Sequence, residues 1–444
     1  MPDTNASLTP ELSSSEAMPR RDYRQALEAL FARTTGEWKL GLERVSGFLE
    51  RLGNPHHAYP VFHVAGTNGK GSTIATLDAI LRGSGLRIAR YTSPHLVDFR
   101  ERIVVNGEPI ASESVVEFLQ KWDPEAAKLG STFFEVTTAM ALHHFALQRV
   151  DVALVEVGLG GRLDATNVVQ PLAAAVTQIG FDHVEFLGKT LPEIAGEKAG
   201  IFKAGSVAVV GEVKPESQAV LVAQAERVGC SEILINGRDF RVSDVSVTGA
   251  GTSFTHEFDT TNERFRTSLT GSFQADNSAV ALAMLRGAGG RWAGTARDAA
   301  EFLGQVHIAG RFHRVGRFIF DVAHNVDGAT AVAANIRDLG VTRPLVAVVS
   351  VLKDKDWRGI IHALSGVVDE FVLTDAPTAP ESRAWSIDDV YAWAKASGVN
   401  VRMERNFDAV LATVAQGEST VLITGSFHTV GDAMERLQVN PLAR

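Results

Sequence analysis

The sequence predicts an α/β protein with two domains, each built around a largely parallel β-sheet. Apolar, strand-like segments alternate with helix-like segments through most of the chain, an order typical of parallel sheets covered by helices. The chain has 444 residues, which is more than usually folds around a single hydrophobic core. This length predicts two domains. A glycine-rich loop near residue 66 separates a strand-like run from a helix-like run, which is typical of phosphate-binding α/β proteins.

The first domain is predicted over residues 21–305. Mostly apolar runs predict its strands at Val61–Ala65, Arg87–Tyr91, Asp151–Val157, Ala173–Ile179 and Val207–Val210. Helices are predicted at Glu43–Leu52, Ile74–Arg82 and Gln274–Leu285. The segment Val242–Arg266 is rich in Thr, Ser, Val and Phe, partly in alternation, and predicts a β-rich excursion.

The second domain is predicted over residues 311–444, after a hinge at about 306–310. Its strands are predicted at Phe318–Val322, Leu345–Val351, Phe371–Thr374 and Val421–Thr424. Its helices are predicted at Val326–Leu339, Trp357–Leu364 and Ile387–Ala396. Residues 1–20 are polar and rich in Ser and Pro, which predicts a disordered tail rather than a signal peptide.

The composition excludes several classes of function. Apolar residues make up 45% of the chain and charged residues 21%, as in soluble globular proteins. A net charge of −9 disfavours nucleic-acid binding, and no apolar run is long enough to cross a membrane. The one cysteine, Cys230, excludes an internal disulfide and fits a reducing compartment. We therefore expect a cytoplasmic monomer that binds neither nucleic acid nor membrane.

The strongest signal is the loop Gly66–Thr73, which follows an apolar run and precedes a helix. Glycines let backbone N–H groups close around phosphates, and the helix N-terminus adds a positive dipole end. Lys70 is placed to reach the β- and γ-phosphates, and a hydroxyl of Ser72 or Thr73 can face Mg²⁺. The pattern predicts ATP binding; the alternative is a glycine-rich turn with an exposed lysine. The loop departs from the common P-loop spelling at Val64 and Gly71.

Polar residues also follow three predicted strands, where open α/β sheets bind ligands. Ser93, Glu156 and His183 are expected to converge on the edge that carries the loop. Oxygen ligands with one imidazole suit Mg²⁺ or Mn²⁺. The alternatives are a turn serine at 93, a lysine-paired carboxylate at 156, and a capping or core histidine at 183.

Two further motifs invite a nucleotide interpretation. Gly158–Asp164 resembles a dinucleotide motif, but Leu163 stands where its third glycine is needed. That loop could instead let substrate approach closely. Asp321 ends a predicted strand and can take a ribose hydroxyl, while Arg311 can reach a phosphate from the hinge. The alternative for Asp321 is a cap for the following helix.

These motifs together resemble the folylpolyglutamate synthase family of the Mur ligase superfamily, including its bifunctional dihydrofolate synthases. The resemblance implies an N-terminal P-loop ATPase-like Mur-ligase domain and a C-terminal Rossmann-like glutamate-ligase domain. Its pieces are LGLERV (40–45), HVAGTNGKGS (63–72), YTSPHL (91–96), TFFE (132–135), EVGLGGRLDATN (156–167), DH (182–183), EKAGIF (197–202), GRF (310–312), DVAHN (321–325), KDKD (353–356) and GSFHTV (425–430).

The resemblance implies an ATP-dependent amide ligase. It would phosphorylate a carboxylate of dihydropteroate or a reduced folate, and the amine of L-glutamate would displace phosphate from the acyl phosphate. The ATP-binding residues it implies are Thr67, Asn68, Gly69, Lys70, Gly71, Ser72, Asn277, Arg311, Asp321 and His324. The catalytic residues it implies are Lys70, His183 and Lys198.

The resemblance also implies the metal ligands Ser93, Glu156 and His183, with Lys198 in carbamylated form as a ligand for a second Mg²⁺. A monovalent cation is a further candidate cofactor. For Lys198 the alternative is an exposed helical lysine. The implied folate contacts are Thr132, Phe133, Phe134, Glu135 and Leu163, and the alternative for the first four is a capped helix start with both rings in the core.

Some residues depart from the family pattern, and other functions stay open. Ala309 and Val326 stand where the family often has proline, and Phe31–Trp38 matches poorly, which weakens the dihydropteroate interpretation. The alternatives are folylpolyglutamate synthesis alone, a cell-wall Mur ligase, a nucleotide-dependent switch and an NAD-dependent oxidoreductase.

Overall fold

The computed structural model describes residues 22–34 and 41–443, so the predicted tail lies outside the described residues. The helices are α1 Tyr23–Phe31, α2 Glu43–Arg51, α3 Lys70–Gly83, α4 Ser112–Lys128, α5 Phe133–Leu147, α6 Val184–Leu187, α7 Leu191–Ala199, α8 Pro215–Val228, α9 Phe273–Gly287, α10 Gly290–Arg297, α11 Val326–Asp338, α12 Trp357–Ser365, α13 Ile387–Ala396, α14 Phe407–Gln416 and α15 Phe427–Arg436. Within the described ranges, no helix is long and apolar enough to cross a membrane.

The strands form three sheets. They are β1 Val61–Ala65, β2 Ile88–Tyr91, β3 Ile103–Val105, β4 Glu108–Pro109, β5 Val152–Glu156, β6 Ala173–Val176, β7 Val207–Val210, β8 Glu232–Ile235, β9 Phe240–Thr248, β10 Gly251–Phe258, β11 Thr261–Thr267, β12 His313–Val315, β13 Phe318–Asp321, β14 Leu345–Val349, β15 Glu370–Leu373, β16 Val401–Met403 and β17 Thr420–Thr424.

The first sheet has eight strands in the order β4-β3-β2-β5-β1-β6-β7-β8. The six strands from β2 to β8 are parallel, and β3 and β4 extend one edge antiparallel. Every residue of β1 is buried, as expected of a central parallel strand with helices on both faces. Because β2, β5, β1 and β6 are adjacent, their carboxyl ends meet at one edge.

Helices cover both faces of this sheet. Helices α3 and α9 pack on one face, together with the sheet β11-β10-β9, while α2 and α5 pack on the other. The predicted β-rich excursion is this three-stranded antiparallel sheet. It encloses a buried aromatic cluster that joins it to α9.

The second domain is a six-stranded sheet in the order β12-β13-β17-β14-β15-β16. Five of its strands are parallel, and only β12 runs antiparallel to its neighbour. Helices α11, α12 and α13 cover one face, and α14 and α15 cover the other. The prediction of two α/β domains with mainly parallel sheets is confirmed.

One helix end in the first domain predicts an unusual effect of a glycine substitution. Gly83 ends α3, and a Cβ atom there would overlap the ring of Phe302. Gly→Ala inside a helix is usually stabilising by about 0.5–1 kcal/mol, but overpacking costs about 1–3 kcal/mol. We expect Gly83→Ala to lower the unfolding temperature. Gly47→Ala, whose new methyl would meet only Leu129 at 3.8 Å, is the control and is expected to raise it. Equal shifts for both variants would contradict this packing argument.

Candidate active site

A cleft of about 620 Å³ lies between the two domains. Its first wall is the loop 66–72, together with residues that follow β2, β5 and β6. Its second wall comes from the C-terminal domain and carries Asp321, His324, Lys355 and residues 425–428. Parallel sheets bind ligands at the carboxyl ends of their strands, and both sheets present those ends here.

The backbone of the glycine-rich loop requires glycine at two of its positions. Gly66 has φ +150° and Gly69 has φ +93°, and both are conformations that side chains disfavour. A Cβ at Gly69 would overlap the Asn277 amide oxygen, and one at Gly66 would overlap the Thr177 hydroxyl. Helix α3 begins at Lys70 directly after the loop. The loop therefore aims backbone N–H groups and a helix N-terminus at the cleft.

The Lys70 ammonium group is held by its own loop. It donates hydrogen bonds to the carbonyl oxygens of Gly66 at 3.0 Å and Thr67 at 3.2 Å. Lys70 is half-buried rather than exposed, so the alternative of a turn with an exposed lysine is wrong. A cation held on the loop itself is placed to neutralise phosphate charge.

Glu156 presents a buried carboxylate at the end of β5. It is 6% exposed, and the backbone N–H of Ser93 lies 3.4 Å from its Oε2. None of the ion pairs found among the described residues involves Glu156, so it is not lysine-paired. Burial raises the pKa of this carboxyl, and the charges of Lys70 and Arg311 oppose that rise. A buried carboxylate without a paired cation, facing a phosphate loop, fits a divalent cation.

His183 belongs to a polar network that joins the two domains. Lys355 Nζ lies 2.5 Å from Asp182 Oδ1 and 3.4 Å from His183 Nε2, and His324 Nε2 lies 3.2 Å from Asp182 Oδ2. Burial opposes ionisation of Asp182, but bonding to His324 and the nearby positive charges outweigh it and lower its pKa. Burial lowers the pKa of His183 to about 4, which leaves a neutral imidazole available as a ligand.

Lys198 is a buried lysine near the end of α7. Its side chain reaches the phosphate loop, where Nζ donates to the Gly66 carbonyl at 3.0 Å, and the residue is 4% exposed. Burial, with the neighbouring charge of Lys70, lowers its pKa to about 7. The alternative of an exposed helical lysine is therefore wrong. An amine of this kind is partly neutral near pH 7, as reaction with CO₂ requires.

The C-terminal domain contributes Asp321 and Arg311 to the cleft. The Asp321 carboxylate accepts backbone N–H groups of Phe312 and Ala323 at 2.8 and 2.9 Å, and burial raises its pKa to about 6. Helix α11 is capped by Asn325, so the interpretation of Asp321 as its cap is wrong. The Arg311 guanidinium lies over the Phe427 ring, 5.3 Å from its centre.

The remaining predicted nucleotide residues have mainly structural contacts in this state. Asn277 faces the cleft and donates to Gln274 Oε1 at 3.0 Å. The Thr67 hydroxyl exchanges hydrogen bonds with the backbone of Gly180. Gly71 and Ser72 lie in the first turn of α3 and border the cleft.

Four of the predicted folate residues, 132–135, lie at the start of α5 and do not border this cleft. The Thr132 hydroxyl and the Glu135 carboxylate form a reciprocal cap, and Glu135 also pairs with Arg44 at 3.0 Å. The Phe133 ring stacks on Phe31 with centres 5.2 Å apart. The structure has the capped helix start that the alternative describes, but the rings of Phe133 and Phe134 are half-buried rather than part of the closed core.

The glycine-rich loop after β5 approaches other protein groups. A Cβ at Gly158 would overlap the ring of Phe134, and one at Gly161 would lie 2.8 Å from the Lys198 carbonyl oxygen. Both glycines therefore admit the protein's own atoms, while residues 158–160 also border the cleft. A 3₁₀ turn at Ala165–Val168, rather than an α-helix, follows the loop, so it lacks the helix N-terminus of a dinucleotide motif. Leu163 is half-buried within it and does not border the cleft.

Several cleft residues were not predicted as site residues. Asp182 and Lys355 lie inside the motifs DH and KDKD, so the sequence marks both residues as candidates. Neither motif indicates that the two side chains contact each other. Asn325, Arg383, Phe427 and His428 also border or approach this cleft from the C-terminal domain. Within the described residues, no three His, Cys, Asp or Glu side chains form a ready metal cluster. The predicted metal-ligand set is not a cluster of this kind, because it includes the hydroxyl of Ser93 and a carbamylated lysine, Lys198.

Comparisons with known proteins agree with this architecture. Residues 64–285 match the Mur ligase middle domain, and residues 310–427 match the Mur ligase glutamate ligase domain. The chain is 33% identical to the dihydrofolate synthase/folylpolyglutamate synthase of Bacillus subtilis, over 94% of this chain and 99% of that protein.

Two solved structures are similar over nearly the whole chain. One is Escherichia coli FolC in complex with DHPP and ADP, with a TM-score of 0.84, 32% identity, and coverage of 95% of this chain and 99% of that one. The other is a bifunctional folylpolyglutamate synthase/dihydrofolate synthase with Mn, AMPPNP and L-glutamate bound. Its TM-score is 0.81 at 31% identity, with coverage of 95% and 100%.

Proposed function

Because the chain belongs to the folylpolyglutamate synthase family of Mur-type ligases, we propose that it adds L-glutamate to both dihydropteroate and reduced folates. The chain is an ATP-dependent ligase of this family. The observation that carries the proposal is the cleft, where a phosphate loop, an unpaired buried carboxylate and a buried lysine meet polar and charged residues of a second domain. The relatives named as bifunctional favour both activities over polyglutamylation alone.

The chemistry proceeds in two displacements. A carboxylate oxygen of the acceptor attacks the γ-phosphorus of ATP, and ADP leaves with the electron pair of the broken P–O bond. The glutamate amine then attacks the acyl carbon, phosphate departs, and the amine loses a proton. Phosphoryl transfer of this kind depends mainly on positioning and charge neutralisation. We assign these roles to the loop N–H groups and to Lys70, which exchanges its loop carbonyls for phosphate oxygens.

We assign the divalent-metal ligands to Ser93, Glu156, His183 and the carbamate of Lys198. Two Mg²⁺ ions would neutralise the triphosphate and the attacking carboxylate, which otherwise repel each other. The supporting observation is the chemistry of the donor set, since Glu156 has no paired cation and burial keeps the His183 ring neutral. Metal binding at His183 Nε2 would replace its 3.4 Å contact with Lys355 Nζ. A monovalent cation is a further proposed cofactor, without an assigned ligand set.

Nucleotide and glutamate are assigned to the C-terminal wall. Asp321 and His324 would contact ATP from the second domain, Arg311 from the position directly after the hinge at 306–310, and Asn277 from the side of the loop. L-Glutamate carries two carboxylates, and Lys355, Arg383 and His428 supply positive or hydrogen-bonding groups on the same wall. A substrate held between two domains implies that closure accompanies turnover.

The folate ring is assigned to the aromatic surface at the start of α5. Phe31 is 41% exposed and stacks on Phe133, so the pair offers a flat face to a pterin. Glu135 already holds Arg44 and the cap of α5, so we assign it to positioning this surface. Thr132, Phe134 and Leu163 complete the proposed folate region, which is continuous with the loop after β5.

The test is release of phosphate with ATP, Mg²⁺ and L-glutamate, comparing dihydropteroate, tetrahydrofolate and no acceptor. We expect release with both acceptors and a product heavier by one glutamate residue in each case. Release with tetrahydrofolate alone would establish a folylpolyglutamate synthase only. Release without an acceptor, or no release at all, would refute the proposal. Because one chain supplies every assigned group, we propose a monomer, which light scattering during turnover tests.

A further inference from the structure

A reciprocal amide pair connects the phosphate loop to the C-terminal domain. Asn68 Nδ2 donates to Asn325 Oδ1 at 3.4 Å, and Asn325 Nδ2 donates to Asn68 Oδ1 at 3.1 Å. The two residues are 257 positions apart in the chain and belong to different domains. Asn325 is 7% exposed, whereas Asn68 is half-buried and borders the cleft.

The orientation of the Asn325 amide is fixed by a neighbouring backbone group, and the Asn68 backbone is held in place by a side chain. Asn325 caps α11, and its Oδ1 accepts the N–H of Gly328 at 2.8 Å. That bond requires the oxygen to face the helix, so the Asn325 NH₂ group must face Asn68. The backbone of Asn68 is held separately, because the Thr177 hydroxyl donates to its carbonyl at 2.6 Å. Each amide therefore projects from a fixed support.

The pair also differs from the charged connection across the cleft. Asp182 forms an ion pair with Lys355 and a hydrogen bond with His324, and a charged pair beside the phosphate loop would also interact with the phosphates of ATP. An amide pair is neutral, so it can lie beside the phosphates without competing for them. Asn325 directly follows His324 and lies four residues beyond Asp321, both assigned to the nucleotide.

We propose that Asn68 and Asn325 form an interdomain clasp that sets the register of the phosphate loop against Asp321 and His324 in the closed enzyme. The inference rests on the proposed function and adds a positioning role for Asn325 and for the Asn68 side chain. Reacting groups displaced by about 1 Å can lose about 100-fold in rate, so a bond that fixes two domains can control turnover.

The test is a double-mutant cycle of Asn68→Ser and Asn325→Ser. Serine at 325 retains an N-cap acceptor for α11, so the helix keeps its cap while the clasp is lost. We expect each single variant to lower kcat about tenfold, and the double variant to be no slower than the worse single, because one interaction is removed in all three. Calorimetry with ADP should show the same non-additive pattern in affinity.

The control is Asn335→Ser on the same helix. Asn335 Nδ2 donates to the Thr270 carbonyl at 3.3 Å, so it also joins α11 to the first domain, but away from the phosphate loop. We expect its kcat to stay within about twofold of wild type, as for a structural contact outside the reacting geometry.

The outcomes separate this inference from the proposed function. Two results would overturn the clasp while the acceptor-dependent activity of the wild type still stands. One is a double variant whose loss of kcat is the product of the two single losses. The other is unchanged kcat and ADP affinity in both single variants. If the wild type releases no phosphate with either acceptor, the proposed function fails. The ADP cycle then decides the clasp alone: a non-additive loss supports it, and additive or absent losses overturn it.

Discussion

Lys70→Ala is expected to lower kcat by at least about 10³-fold, because phosphoryl transfer loses the cation closest to the developing negative charge. In the structure the ammonium group is held by two loop carbonyls, at 3.0 and 3.2 Å. Removing it leaves the loop glycines, the Thr177 bonds and the start of α3 in place. We therefore expect the unfolding temperature to change little. The measurement is steady-state phosphate release with each acceptor, alongside thermal unfolding.

A matched control separates loss of charge from loss of a specific group. Lys128 pairs with Glu125 on the surface of α4, with its side chain 66% exposed. Lys128→Ala removes the same charge from the protein, and its kcat is expected to equal that of the wild type. Wild-type-like turnover of Lys70→Ala would remove the assignment of this loop to ATP. A large fall in unfolding temperature would instead show that the lysine mainly supports the fold.

Local sequence patterns were sufficient for the strands that build the site. The predictions for β1 and β7 agree residue for residue, since buried parallel strands appear as short apolar runs. Strand β6 ends at Val176 rather than Ile179, because the chain turns there to brace the phosphate loop. The Thr177 hydroxyl bonds to carbonyls of Ala65 and Asn68, and such a contact has no periodic signal.

The sequence predicted only those site residues that lie at the ends of strands or inside recognisable motifs. The place of Glu156 in the site was predictable, because it is a polar residue at the end of an apolar strand in a parallel sheet. The pairing of Asp182 with Lys355 depends on how two domains meet, 173 residues apart in sequence. Glu135 is predicted to contact the folate, and no observation tests that role; its ion pair with Arg44, 91 residues away in the sequence, has no local signal.

Lys198→Ala is expected to lower kcat by at least about 100-fold, since it removes a proposed anionic ligand from the region of the triphosphate. Carbamylation forms a bond between Nζ and the carbon of CO₂ and releases one proton, so it needs a neutral amine. The structure favours this, because the side chain is buried and its pKa lies near 7. Truncation leaves a space beside the Gly66 carbonyl that a small carboxylate can enter. Formate or acetate is expected to restore activity about tenfold by supplying the missing oxygens.

Carbon-13 bicarbonate tests the modification apart from activity. We expect a carbamate resonance in the wild type that is absent from Lys198→Ala. Lys203 is the matched control, because it lies on the same segment and burial also lowers its pKa, while its Nζ bonds to the Asn167 carbonyl. Lys203→Ala should retain the resonance. Absence of the signal from the wild type, or its loss in Lys203→Ala, would exclude a carbamate at Lys198. The rate loss in Lys198→Ala would then come from removal of a buried cation beside the loop.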